Sequence, residues 1–320
     1  SGIPHLGNYK GMFEPMIALA NNPDNDAFCM ISDYHSLIKL WDAESRGEFT
    51  YEVAAAWLAL GLDPKQSSLY LQSDIPEIPE LAWIISTLTA KGLLNRAHAY
   101  KAKLDENIEN KTKDPDAGIT SGLYQYPILM SADILSINAN IVPVGKDQVQ
   151  HLEIARDIAA RFNHVYGETF NIPEVKPSEH ATLLGLDGRK MSKSYNNTIP
   201  LFIDEKSMRK KIMKIKTNSQ LPEEPKETKD CILFSIYSAF ANKDEIKEVA
   251  KRYETGIGWG EMKQILFEKI NADLAGAREN YHELIADKTQ IHKVLKEGAQ
   301  KVRDICAPFL QDIKAQVGLV

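Results

Sequence analysis

Three short apolar runs, AFCMIS (27–32), SSLYLQ (67–72) and NIVPV (140–144), alternate with helix-patterned stretches, and no such run recurs beyond about residue 200. Apolar runs of this length between helices read as buried parallel strands. Their alternation with helices predicts an α/β fold with a parallel sheet. The helices fall at 9–20, at 49–60 where Gly61 ends the pattern, at 80–90, and after Gly145, where Val149, Leu152, Ala155, Ala159 and Phe162 share one face. Later residues carry only helical patterns, at 233–241, 243–253, 260–284 and 289–317, the last expected to be interrupted at Pro308. The polar segments 101–118 and 221–229 read as surface loops, the former mobile. The expected division is an α/β domain over 1–198 and an all-helical domain over 199–320.

The rest of the composition narrows the class. No apolar run approaches the ~18 residues of a membrane span, and Cys29, Cys231 and Cys306 are odd in number and far apart. They fit reduced thiols in a cytoplasmic protein rather than a disulfide framework or a zinc site. The net charge is −6, yet residues 186–216 hold nine Lys/Arg against three acids, a local excess of +6. Such a stretch is either a solvated helix face or a surface that meets a polyanion.

Two motifs carry chemistry. His5-Leu6-Gly7-Asn8 is a turn opening a helix, where backbone N–H groups and the helix dipole suit a phosphate. Gly7 leaves room for a flat ring on the backbone, and His5 and Asn8 offer side-chain donors. A strand normally precedes such a turn, so either the sequence is trimmed ahead of Ser1 or the turn is not of this kind. The second motif, Lys190-Met191-Ser192-Lys193-Ser194, places two movable ammonium groups on one loop behind Asp187-Gly188-Arg189. Such a loop suits charge developing on a triphosphate. Between the motifs, Tyr126, Met130 and Asp133 are spaced to share one helical face. From spacing alone Asp133 is either a solvated or capping carboxylate or a buried one that needs partners.

Together the two motifs resemble the HIGH-type and KMSKS signatures of class I aminoacyl-tRNA synthetases. Pro143-Val144-Gly145-Lys146-Asp147-Gln148 with His151-Leu152-Glu153 is similar to the G-x-D-Q-x-x-H element of the bacterial tryptophanyl-tRNA synthetases. Ser1-Gly2, Asp33-Tyr34-His35, and Tyr126-Pro127 through Asp133-Ile134-Leu135 match the same family, along the whole chain. The resemblance implies a Rossmann-type catalytic domain, a C-terminal anticodon-binding domain, and a homodimer holding tRNA(Trp) across both subunits. Tyrosyl-tRNA synthetases, which share the fold and the KMSKS loop, and a non-catalytic RNA-binding relative are the alternatives. The His151-Leu152-Glu153 run speaks against the former, and intact motifs against the latter.

The resemblance also implies roles. ATP is held by His5, Gly7, Asn8, Gly145, Asp147, Leu183, Lys190, Met191, Ser192 and Lys193, with Asp147 on a ribose hydroxyl. Of these His5, Asn8, Lys190 and Lys193 are catalytic, with Mg2+ accompanying the nucleotide and no metal held by the protein alone. L-Tryptophan is held by His35, Tyr126, Met130, Asp133, Val142, Val144 and Gln148. Asp133 meets the indole N–H, Tyr126 and Gln148 the α-ammonium group, and Val142 and Val144 an apolar wall. Leu183 reads equally as a core leucine, and His35 equally as a satisfied loop histidine. Lys101 and Lys103 are candidates to reach phosphate from the expected loop. The basic 206–216 segment is expected to meet tRNA phosphate.

Overall fold

The structure is a computed structural model that describes residues 4–145, 148–177 and 183–319. The chain forms two compact units, each assembled from three separate segments. One comprises Phe28–Glu48, Ser67–Glu179 and His292–Val320; the other comprises Ser1–Ala27, Phe49–Gln66 and His180–Ile291. The units therefore interleave along the chain. The change in composition is nonetheless visible, because among the described residues every strand longer than a single bridge ends by Pro177.

The strands of the first unit are β1 (Ala27–Ile31), β2 (Ser67–Leu71), β3 (Ile141–Val144) and β4 (Glu174–Pro177). β1 pairs with β2, and β3 pairs in parallel with β4, Val142 opposite Val175 and Val144 opposite Pro177. The three apolar runs are thus strands, as their length predicts, and β4 adds a fourth that the polar sequence EVKP hides. Helices Glu77–Ser86, Ser121–Ser136 and Val149–Tyr166 and the C-terminal helix bury one shared core. Tyr70, Ile78, Leu135, Ile158, Phe162 and Val302 are at its centre. Gly298 lets the last helix reach the backbone of β2, where an added Cβ would lie 2.0 Å from the Leu69 carbonyl oxygen.

Two expectations are corrected. The 101–118 segment is not a loop throughout: His98–Glu109 is a helix. Its faces are almost all solvated, so it lacks the apolar stripe by which helices are read. Asn107 is its buried exception, donating to the Pro115 and Ala117 carbonyls and so closing the turn that follows. Lys101 and Lys103 accordingly sit on a helix, where Lys103 pairs with Glu106 at 3.1 Å. Second, Pro308 does not interrupt the last helix, which runs unbroken over Thr289–Gln316. Proline removes one helical donor, and the burial of Cys306, Leu310 and Ile313 on either side offsets that loss.

In the second unit, helix Ile232–Phe240 and the basic helix Glu205–Ile212 both pack on the long helix Trp259–Ala286. Met208 and Ile212 are buried while Lys206, Arg209 and Lys210 face solvent, so the basic run is a one-sided charged face. Phe202 stacks on Tyr281 with ring centroids 3.9 Å apart. Among the described residues no helix is long and apolar enough to cross a membrane. All three cysteines are unpaired, and burial pushes the thiols of Cys29 and Cys306 up to about 12 and about 11, which leaves them protonated and unreactive.

Candidate functional site

The nucleotide-side motifs lie in the second unit, and there the fold ties them to one another. Residues 4–6 run antiparallel to 199–201: Leu6 N–H donates to Ile199 C=O at 2.9 Å and Leu201 N–H to Pro4 C=O at 3.0 Å. The HIGH-type turn is itself a reciprocal helix cap. Asn8 N–H donates to His5 Nδ1 at 3.3 Å, and His5 N–H donates to Asn8 Oδ1 at 3.1 Å. Each side chain spends its acceptor on a backbone donor, a capping-box arrangement with histidine in place of the usual hydroxyl residue. What remains is Nε2–H on His5 and the amide NH2 on Asn8, both pure donors. The turn thus fixes two donors by consuming two acceptors.

Burial, followed by the nearby Lys193 cation, lowers the His5 pKa to about 4. His5 is therefore neutral at pH 7, and with Nδ1 accepting, its proton sits on Nε2. Gly7 N–H points at the Met191 sulfur, 3.3 Å away. A Cβ on Gly7 would come within 3.1 Å of the His5 ring and 3.2 Å of Met191 Cβ, so glycine permits this approach. The helix then passes through a π-helical turn over Tyr9–Phe13, a distortion found often beside functional sites.

The KMSKS loop is the closing side of a short hairpin. Leu184 bridges Lys190, Gly185 N–H donates to Arg189 C=O at 2.7 Å, and Met191 N–H to Leu183 C=O at 2.9 Å. Leu183 and Met191 are buried beneath it. Asn197, 2 % exposed, holds the loop's shape. Its Nδ2 donates to Asp187 Oδ1 at 2.7 Å and to Lys190 C=O at 3.1 Å, and its Oδ1 accepts Ser192 N–H at 2.8 Å. The Asn197 amide, with Arg189, holds the Asp187 carboxyl down to about 2. Lys190 is exposed, and Lys193 opens a 3-10 turn, its pKa lowered by partial burial and opposed by Glu52.

The residues assigned to the amino acid lie in the first unit. Tyr126, Met130 and Asp133 do share a face of the Ser121–Ser136 helix, and Asp133 is buried, which resolves the open reading of that carboxylate. Its Oδ2 meets His35 Nε2 at 2.9 Å, and its Oδ1 accepts from Gln72 Nε2 at 2.7 Å. Burial pushes the Asp133 carboxyl above its ordinary range, while the bonds from His35 and Gln72 oppose that rise. The His35 ring stands edge-on to Tyr126, and Tyr126 Oη is hydrogen-bonded to His151 Nε2. Met130 and Val142 pack with Val144 and Ile134 in one apolar cluster. Gly145 follows β3, and its carbonyl accepts Gln148 N–H at 2.9 Å, with Gln148 at the N-cap position of the Val149–Tyr166 helix. Asp147 lies outside the described residues.

Three residues now belong with these clusters that were not assigned to them from sequence. Gln72 ends the SSLYLQ run, and position supplies its signal, since ligands in α/β sheets lie beyond the carboxyl ends of strands. His151 was visible within the G-x-D-Q-x-x-H element, but its contact to Tyr126 joins residues 25 apart and has no local trace. Asn197 follows the KMSKS run, where an asparagine after a turn resembles any loop residue.

Residues 1–275 match the family model of class I tRNA synthetases (W and Y). The chain belongs to that family. Over its full length it is 53 % identical to the tryptophan–tRNA ligase of Neisseria meningitidis serogroup A, covering 95 % of that protein. It is 50 % identical to that of Pseudomonas putida, covering 72 %. Among solved structures, the tryptophanyl-tRNA synthetase of Campylobacter jejuni complexed with ADP and tryptophan superposes with a TM-score of 0.91 at 42 % identity. That match spans all of this chain and 97 % of the other. The fold is thus that of a class I synthetase, a Rossmann-type parallel sheet joined to C-terminal helices, and the chain is an aminoacyl-tRNA ligase.

Proposed function

We infer that this chain activates L-tryptophan with ATP and transfers it to tRNA(Trp). The observation that carries the amino acid's identity is the buried Asp133 carboxylate, held from both sides beside Met130 and Tyr126. Indole is a donor only, and a buried acceptor is left unpaired when phenylalanine takes its place, a rejection worth ~10⁴-fold or more in sites of this kind. The names of the full-length relatives agree with this assignment.

In the first step the tryptophan carboxylate attacks the α-phosphorus of ATP, and pyrophosphate leaves with the electrons of the broken P–O bond. In the second, the terminal ribose hydroxyl of the tRNA attacks the adenylate carbonyl, and AMP leaves. The substrate supplies the nucleophile, so the protein acts by positioning and by charge stabilisation. His5 Nε2–H and the Asn8 amide, fixed by the helix cap, donate to phosphate oxygens. Lys190 and Lys193 meet the charge that grows on the departing pyrophosphate. Gly7 and Met191, with Leu183 beneath, bound the adenine, and Gly145 and Asp147 the ribose. Tyr126, braced by His151, and Gln148 hold the α-ammonium group, while Val142 and Val144 form an apolar wall and His35 the pocket rim.

The Mg2+ of this reading would accompany the triphosphate, since magnesium is commonly held largely by substrate phosphates. The 206–216 segment meets tRNA phosphate, residues 199–320 read the anticodon, and the enzyme is a cytoplasmic homodimer.

Charging tests the reading: tRNA(Trp) transcript accepts tryptophan from the purified protein and tRNA(Tyr) transcript accepts nothing. Asp133→Ala tests the specificity separately. It is expected to collapse the preference for tryptophan over tyrosine, and an unchanged preference would remove Asp133 from the pocket while leaving adenylation intact.

A further inference from the structure

The Gln72 side chain is fully buried, yet it is polar and only half satisfied. Its Nε2 donates to Asp133 Oδ1 at 2.7 Å, while its Oε1 has no hydrogen-bond partner among the described residues. A residue retained for packing alone would be apolar here, because a buried carbonyl without a donor keeps its desolvation cost uncompensated. Leucine or methionine would fill the volume without that burden. The amide therefore has its use at the nitrogen end, on the carboxylate.

We propose that Gln72 is a specificity-determining positioning residue that, from the end of β2, orients the Asp133 carboxylate so that it accepts the indole N–H of tryptophan. The inference rests on the assignment of Asp133 to the indole. A carboxylate on a helix can rotate about its last torsion, since that sp³–sp² bond has only broad wells. His35 bonds one oxygen and Gln72 the other, from two different elements, so the carboxylate plane is fixed before substrate arrives. Each oxygen keeps a second lone pair, and the fixed plane determines where the free ones point. With Gln72 removed, the plane is set by His35 alone and the acceptor swings out of line with the indole edge. Hydrogen bonds weaken steeply with misalignment, so the effect falls on the one substrate atom that Asp133 reads.

A ligand-side comparison separates this role from a merely structural one. The measurement is kcat/KM in ATP–pyrophosphate exchange for tryptophan and for its benzothiophene analogue, in which sulfur replaces the indole N–H and the shape is nearly kept. The variants are the full-length wild type, Gln72→Met and Gln72→Leu, with Asp133→Asn as the reference that converts the acceptor itself. In Gln72→Met the tryptophan-to-analogue ratio is expected to fall about tenfold, the value of one hydrogen bond to a charged group, with the analogue's own kcat/KM little changed. Equal losses for both substrates in Gln72→Met and Gln72→Leu would overturn the proposal and reduce Gln72 to packing. A ratio unchanged in the Gln72 variants but reduced in Asp133→Asn would overturn it too, while sparing the reading of Asp133. A ratio unchanged in Asp133→Asn as well would show that the reading itself fails.

Discussion

Asn197→Ala isolates what shapes the KMSKS loop. The wild-type amide is buried and spans the loop three ways, to Asp187 Oδ1, to Lys190 C=O and from Ser192 N–H. The two backbone bonds contribute about 1 kcal/mol each, and their loss strands a donor and an acceptor in a site too tight to hydrate fully. A destabilisation of about 2–4 kcal/mol follows, a large share of an ordinary domain's margin of about 5–15 kcal/mol. Asp187 adds a pH signature. Its folded pKa, about 2, lies below its unfolded value, so its contribution is present above about pH 4 and falls as pH drops towards 2. The gap between wild type and variant in urea denaturation is therefore expected to narrow across that range. In exchange assays the variant's kcat falls and its KM for ATP rises, while its dissociation constant for tryptophan holds, because the side-chain bonds of Asn197 go to Asp187, Lys190 and Ser192 of the loop itself. A variant that unfolds at the wild-type urea midpoint, or one whose loss falls on tryptophan binding, would refute this account of the loop.

Three further outcomes follow from the geometry. Gly298→Ala drives a Cβ into the Leu69 backbone and is expected to destabilise the protein by about 3 kcal/mol or more, read as a lowered thermal midpoint. The imidazole NMR signals of His5 should report an Nε2–H tautomer that protonates only near pH 4, and Lys193→Ala should raise that pKa only part of the way to 6.5, because burial is the larger cause. Since the unfolded chain takes up that proton first, the stability tied to His5 falls as pH drops from about 6.5 to about 4. Gly7→Ala presses on the His5 ring and on Met191, and should raise the KM for ATP several-fold with tryptophan binding unaffected, measured by steady-state exchange.

Local patterns made much of this molecule legible. The strands at 27–31, 67–71 and 141–144 and the helix over Val149–Tyr166 follow from apolar runs and a 3.6-residue stripe, because burial imposes those periods. The His98–Glu109 helix escaped because nearly all of it is wet, and β4 because a short polar strand owes its existence to its partner. In the site, motif residues could be named but their mutual bonds could not. Asp133 illustrates the boundary. Spacing put it on a face with Tyr126 and Met130, but whether that face was dry depended on His35 and Gln72, 98 and 61 residues away. The His5–Asn8 cap is the opposite case, a contact within four residues whose geometry gives the motif's spacing a physical reason.

The most direct test of the central claim is ATP–pyrophosphate exchange with each of the twenty amino acids in turn. Exchange driven by tryptophan alone is the expected result. Exchange driven by tyrosine would contradict the assignment of Asp133 while keeping the adenylation chemistry, and no exchange with any amino acid, in protein that still binds tRNA, would contradict the catalytic reading itself.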